Sequence, residues 1–137
     1  MHKLLYEQVF PANTEVLAEV RSAAHDACQL AHCSDKCSDQ IVLAINEACM
    51  NVIQHGYQFA AGQYFTLQLS VNDGVFVANL LDNGLPASDT DLQPRSLDEL
   101  RPGGLGVRFM RELMDGVAYL PVPDGFANCL QLSKRIF

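Results

Sequence analysis

The stretch Glu47-Ala48-Cys49-Met50-Asn51-Val52-Ile53-Gln54-His55-Gly56-Tyr57 decides how the rest of the chain is read. Its apolar positions continue a stripe at helical period that runs through Ile41, Ile45, Ala48 and Val52. Residues four apart lie about 40° apart around a helix, so Glu47 and Asn51 share a face, joined by Gln54 and turned away from that stripe. Gly56 stands where a glycine C′ stop would end the helix. Two later segments complete the pattern. Asp82-Asn83-Gly84 closes an apolar strand, and Gly103-Gly104-Leu105-Gly106 opens a helix. Each piece alone is weak; their order and spacing point to a nucleotide site.

The elements around this core follow from pattern and punctuation. Residues 3–10 read as a strand ended by Pro11. Asn13 or Thr14 caps a first helix, whose stripe is Val16, Leu17, Val20, Ala23, Ala24, Ala27 and Leu30. After the break Ser34-Asp35-Lys36, a second helix spans roughly 36–55. Residues 63–71 and 75–82 are strands, and Asn72-Asp73-Gly74 between them is a strong hairpin signal. Residues 85–102, with Pro86, Pro94 and Pro102, read as a mobile loop. A third helix then runs to about Asp115, and strands at about 117–122 and 126–136 flank Pro123-Asp124-Gly125. The order β-α-α-β-β-loop-α-β-β predicts an α/β (α+β) two-layer sandwich. Its mainly antiparallel mixed sheet would be covered on one face by three helices, leaving the other partly open for docking.

Composition bounds the function. The 137 residues fit one domain, 1–137, with 49% apolar and 18% charged residues. No apolar run approaches the roughly 20 residues of a membrane helix, and Glu7 and Gln8 interrupt any signal-peptide layout, so the chain reads as cytoplasmic, with no membrane. Net charge is −7 and the nine Lys and Arg are scattered, which disfavours direct nucleic-acid binding. Five cysteines, an odd number without a secretory signal, disfavour a disulfide framework. The cluster His25, Cys28, His32, Cys33 and Cys37 carries zinc-ligand chemistry, but its spacing matches no closed structural site.

The chemistry of the three segments is specific. A carboxylate beside a carboxamide, as at Glu47 and Asn51, suits a general base next to a ligand for a hard cation such as magnesium. The same pair also fits the solvated side of any amphipathic helix. Asp82 ends a strand whose neighbours Val77, Leu80 and Leu81 are apolar; a carboxylate at the mouth of an apolar slot can accept from an exocyclic amine, and Gly84 lets backbone approach a planar base. A plain Asp-Asn-Gly turn would look the same. Glycines at a helix start expose N–H groups to phosphate, with Arg101 and Arg108 flanking, though a lid hinge or two solvated arginines read equally well. No Gly-Lys-Ser/Thr follows, so this is not a P-loop.

Taken together, the segments resemble the ATP site of the GHKL superfamily, the Bergerat-type fold of histidine kinases, gyrase-type ATPases, heat-shock chaperones and mismatch-repair ATPases. Glu47 and Asn51 match its N box, Asp82 and Gly84 its first glycine box, and Gly103, Gly104 and Gly106, with Leu105 between, its second. The short length, Asn51-Val-Ile-Gln-His55-Gly56-Tyr57 and Gly104-Leu-Gly106-Val-Arg-Phe-Met110-Arg-Glu-Leu-Met114-Asp115 are most similar to the anti-sigma factor serine/threonine kinases. The resemblance implies that Glu47 is the general base, Asn51 holds Mg2+, Asp82 reads the adenine of ATP, Gly84 lines it, and Gly104 and Gly106 help a lid close over the phosphates. It places Ser133 where the family often has a Thr near adenine. It implies two partners, a STAS-type anti-sigma-factor antagonist and a sigma factor, and a homodimer. One departure is Asp82-Asn-Gly84-Leu-Pro86, where Pro86 removes a backbone donor and stiffens the loop.

Three functions stay open at this point. The first is an ATP-dependent kinase acting on the antagonist. The second is an ATP-binding anti-sigma or regulatory module without significant turnover, against which Glu47 argues. The third is a histidine-kinase catalytic domain, against which the absence of a phosphoacceptor hairpin argues.

Overall fold

The computed structural model describes residues 2–88 and 104–137. Its strands are β1 (His2–Pro11), β2 (Tyr64–Asn72), β3 (Val75–Asp82), β4 (Gly116–Tyr119) and β5 (Asn128–Arg135). Its helices are α1 (Leu17–Leu30), α2 (Asp35–Asn51) and α3 (Gly104–Leu113), with a 3-10 turn at Thr14–Val16 and a π turn at Val52–Gly56. The sheet runs β1-β2-β3-β5-β4. Every pairing among the described residues is antiparallel, so the sheet is not the mixed one expected. The reason is topological: α3 carries the chain from β3 past a vacant position to β4, and β5 then returns between them.

Local chemistry sets the element ends. The Asn13 carboxamide accepts the Glu15 N–H at 3.0 Å, starting the turn into α1. Ser34 Oγ accepts the Cys37 N–H at 3.1 Å and caps α2, which therefore begins at Asp35. Asp73 and Gly74 join β2 to β3 with φ of 50° and 80°, and Asn72 pairs with Val75, the left-handed pair of a tight hairpin turn.

The core lies between the helices and one sheet face. Phe65, Leu67 and Leu69 of β2, Phe76, Ala78 and Leu80 of β3, and Leu130 and Leu132 of β5 point into it at period two. Val20, Ala24, Ala27 and Cys28 of α1 and Ile41, Ala44, Ile45, Ala48 and Cys49 of α2 close it from above. Phe10 stacks on Phe65 with ring centroids 5.6 Å apart. Each large side chain removed from water here contributes about 1.5–3 kcal/mol. Leu30, assigned to the α1 stripe by its spacing, is 62% exposed; Ala27 and Cys28 are the buried residues of that last turn.

The opposite face carries a polar row across four strands, with Glu7, Gln68, Asn79 and Gln131 in register. The Gln68 amide donates to Glu7 at 2.6 Å and the Gln131 amide to Asn79 at 3.1 Å.

Candidate functional site

α2 delivers Glu47 and Asn51 half-buried on one side, while Ala48, Cys49 and Val52 on the other are buried in the core. The geometry is the four-residue spacing of a regular helix. Immediately after Asn51 the helix widens. The Tyr57 N–H donates to the Val52 carbonyl at 2.9 Å, five residues back rather than four. Single π turns of this kind cluster at functional sites. Gln58 and Phe59 then take left-handed φ of 52° and 60°, and the chain leaves toward β2. Gly56 is therefore inside the widened turn and is not the left-handed stop its position suggested.

The reason for glycine here lies across the site. The Gly56 carbonyl accepts the Leu85 N–H at 2.9 Å. A Cβ built on Gly84 would stand 2.7 Å from the Gly56 carbonyl carbon and oxygen and 2.8 Å from its Cα. The two backbones are pressed together, and the end of α2 is clasped to the segment that follows β3.

Asp82 ends β3 with 4% of its surface exposed. Its Oδ1 accepts the Gly84 N–H at 2.8 Å and the Asn128 amide at 3.0 Å. Among the described residues no hydrogen bond reaches its Oδ2. Burial pushes the Asp82 carboxyl above its ordinary range, while the Asn128 and Gly84 hydrogen bonds pull the other way. Tyr57 supports the same loop: its hydroxyl donates to the Tyr64 carbonyl at 2.7 Å and accepts the Asn83 N–H at 2.7 Å. Its phenol is raised, first by burial and further by the nearby Asp82 charge.

Asn128 and Tyr57 carry no role in the sequence reading. Asn128 becomes visible only when strand register places it opposite Asp82. Tyr57 lies within the deciding stretch, but its reach to Asn83 depends on the π turn.

Ser133 is a correction. The register sets it opposite Val77 on β3 and Gly116 on β4, five positions along β5 from Asn128. At 3.3–3.4 Å per residue this is about 17 Å from the strand end that holds Asp82. Its hydroxyl instead fills the space over Gly116, where a Cβ would come within 2.5 Å of it.

Gly104, Leu105 and Gly106 form the first turn of α3. Gly103 and Arg101 lie outside the described residues. Arg108 is exposed and lies 3.4 Å from Glu112 one turn on, a solvated surface pair. Cys28, Cys33 and Cys37 gather where α1 meets α2, and burial together with the neighbouring thiols pushes Cys33 up to about 12. No group of three or more His, Cys, Asp or Glu among the described residues is arranged to hold a metal ion, and no described helix is long and apolar enough to cross a membrane.

The donor set fits a purine nucleotide with a hard cation. The Asp82 carboxylate lies against the backbone of Gly56 and Gly84, and α2, whose end is clasped to that loop, carries a carboxylate and a carboxamide one turn apart.

The model of a family described as the histidine kinase-like ATPase domain matches residues 10–134. The chain is 31% identical over 120 residues to an anti-sigma F factor of Clostridium botulinum, covering 85% of this chain and 82% of that protein. It is 32% identical over 124 residues to the serine-protein kinase RsbW of Bacillus licheniformis, covering 81% and 74%. Its fold is similar to the crystal structure of the RsbU and RsbW domains of a Mycobacterium tuberculosis protein, with a TM-score of 0.66 at 16% identity over 96% of this chain. It spans only 31% of that longer chain.

Proposed function

The chain belongs to the histidine kinase-like ATPase domain family, and from that premise we propose that it is an ATP-dependent serine/threonine protein kinase of the anti-sigma type. Its substrate is a STAS-type anti-sigma-factor antagonist, and its alternative partner is a sigma factor. The observation that carries this reading is the clasp between the end of α2 and the Asp82 loop through Gly56, Gly84 and Leu85. It holds the end of the helix that carries Glu47 and Asn51 against the loop after Asp82, which supports reading the three as base, cation ligand and base-reading carboxylate. The printed names of the relatives, an anti-sigma factor and a serine-protein kinase, support the same reading.

The residues divide the work. Glu47 accepts the proton of the attacking serine or threonine hydroxyl as its oxygen engages phosphorus. The Asn51 carboxamide oxygen is a ligand for Mg2+, which prefers few protein ligands alongside water and phosphate. Asp82 accepts the exocyclic amine of adenine, and Gly84 presents flat backbone to the ring. The first turn of α3, with Gly104, Leu105 and Gly106 and with Gly103 before it, offers backbone N–H groups and a positive dipole end to phosphate. Bound ATP supplies the transferable phosphoryl group.

Phosphate on the antagonist adds nearly two negative charges to an interface, so the modified antagonist leaves by repulsion and desolvation and the kinase is free to hold sigma. In this scheme the chain acts as a single domain, as a homodimer in the cytoplasm.

Isothermal calorimetry with magnesium-ATP on wild type and Asp82→Asn tests the site. Phosphoserine detection by mass spectrometry after incubation with a STAS antagonist tests the activity. Binding that the substitution weakens, followed by transfer, is the expected result. Binding without transfer would favour the ATP-responsive binding module, and no binding by folded protein would refute both.

A further inference from the structure

Asn128 is the first residue of β5 and is 4% exposed. Its carboxamide makes three hydrogen bonds, one to the last residue of β3 and two to the segment that follows it. Nδ2 donates to Asp82 Oδ1 at 3.0 Å and to the Leu85 carbonyl at 2.9 Å, and Oδ1 accepts the Ala87 N–H at 2.8 Å. Both amide hydrogens are used, so Asn128 has none left for a ligand. The two loop contacts bracket Pro86, the residue that cannot donate a backbone bond of its own. Next to it, the Ala127 N–H donates to the Asp82 carbonyl at 2.9 Å. One side chain thus ties the base-facing carboxylate and its loop to the same point of the sheet.

We infer that Asn128 is a positioning residue for base selection, acting through Asp82 and the Pro86 loop; this rests on the ATP-site reading above. Asn128 and the Gly84 N–H together occupy Oδ1, leaving Oδ2 without a hydrogen-bond partner among the described residues. A fixed acceptor favours a base with an amine at that edge and disfavours one with a carbonyl there, because two acceptors would face each other without a proton. Hypoxanthine differs from adenine in that substitution of a carbonyl for the 6-amine, so inosine triphosphate is the matching probe. Without Asn128 the carboxylate is free to rotate and the Pro86 loop loses both anchors, so discrimination falls while phosphate and cation contacts remain.

The test is calorimetric titration of the full chain with magnesium-ATP and magnesium-ITP, for wild type, Asn128→Ala and Asn128→Asp. The Asp variant keeps the shape of the side chain but sets a second carboxylate against Asp82 and an oxygen against the Leu85 carbonyl. Wild type is expected to favour ATP by at least about 10-fold, and both variants to lose about 10- to 100-fold in ATP affinity, the range of one buried hydrogen-bond defect. ITP affinity should change by less than about 3-fold, because the bonds at stake serve only the amine edge. A preserved ATP-to-ITP ratio in either folded variant would overturn the inference. So would failure of both variants to fold, which would make Asn128 a determinant of the fold alone. If folded wild type binds neither nucleotide, the ATP-site reading falls and takes the inference with it.

Discussion

Gly56 and Gly84 touch, yet alanine should act very differently at the two positions. A Cβ on Gly84 would stand 2.7 Å from the Gly56 carbonyl carbon and oxygen. Carbon pairs rest at about 3.5–4.0 Å, so the loop must retreat by about 0.8 Å or more. The Leu85 N–H to Gly56 bond, now 2.9 Å, would then stretch beyond about 3.5 Å and be lost. The Gly84 N–H bond to Asp82 would be strained with it. Either outcome, a retained clash or broken bonds, costs about 1–3 kcal/mol. A Cβ on Gly56 meets Asp82 Oδ1 at 3.8 Å, Gly84 Cα at 3.9 Å and Val52 Cγ1 at 4.0 Å, which is ordinary contact. Its φ is not positive, so alanine there should be neutral or stabilising by up to about 1 kcal/mol. Urea unfolding with an unchanged m-value measures both, and magnesium-ATP titration should show a large loss for Gly84→Ala alone. Gly84→Ala within about 0.5 kcal/mol of wild type, or Gly56→Ala as damaging as Gly84→Ala, would refute the argument.

Glu47→Ala should abolish phosphoryl transfer to the antagonist while leaving ATP binding largely intact, and Asn51→Ala should also lose magnesium-dependent binding; wild-type transfer by Glu47→Ala would exclude it as the base. Tyr57→Phe leaves the Asn83 N–H without its 2.7 Å partner, which should cost about 1–3 kcal/mol and roughly 4 °C of Tm per kcal/mol at this chain length. Asp82→Asn should lose ATP but gain stability at neutral pH. The wild-type carboxyl is raised above its ordinary 3.8, so its charged form penalises the fold above the folded-state pKa. That penalty is relieved as pH falls through this value and is gone below 3.8. The stability gap between Asp82→Asn and wild type should therefore be widest near pH 7 and close in acid, as read by unfolding at a series of pH values.

Much was legible in the residues alone. The stripe Ile41, Ile45, Ala48 and Val52 marked the buried side of α2, because a helix period is visible locally, and the same period put Glu47 and Asn51 together on the other side. The alternation of Phe65, Leu67 and Leu69 with Thr66 and Gln68 marked β2. Asp73-Gly74 marked the hairpin, because its left-handed pair has a strong residue preference. Leu30 misled because a short helix end can expose one apolar residue without disturbing its period.

What only the tertiary structure decided are relations between segments far apart in the chain. Asn128 reaches Asp82 across 46 residues because antiparallel register sets them opposite each other. Ser133 misses the site because the same register carries it five positions away. The contact of Gly56 with Gly84 exists because a π turn redirects the end of α2, and no local pattern in Val52–Gly56 announces that turn. Periodicity and turn chemistry act over a few residues, so the sequence by itself determined the elements and the residues able to do chemistry. Register and backbone contact act over the whole fold, and they alone decided which of those residues meet.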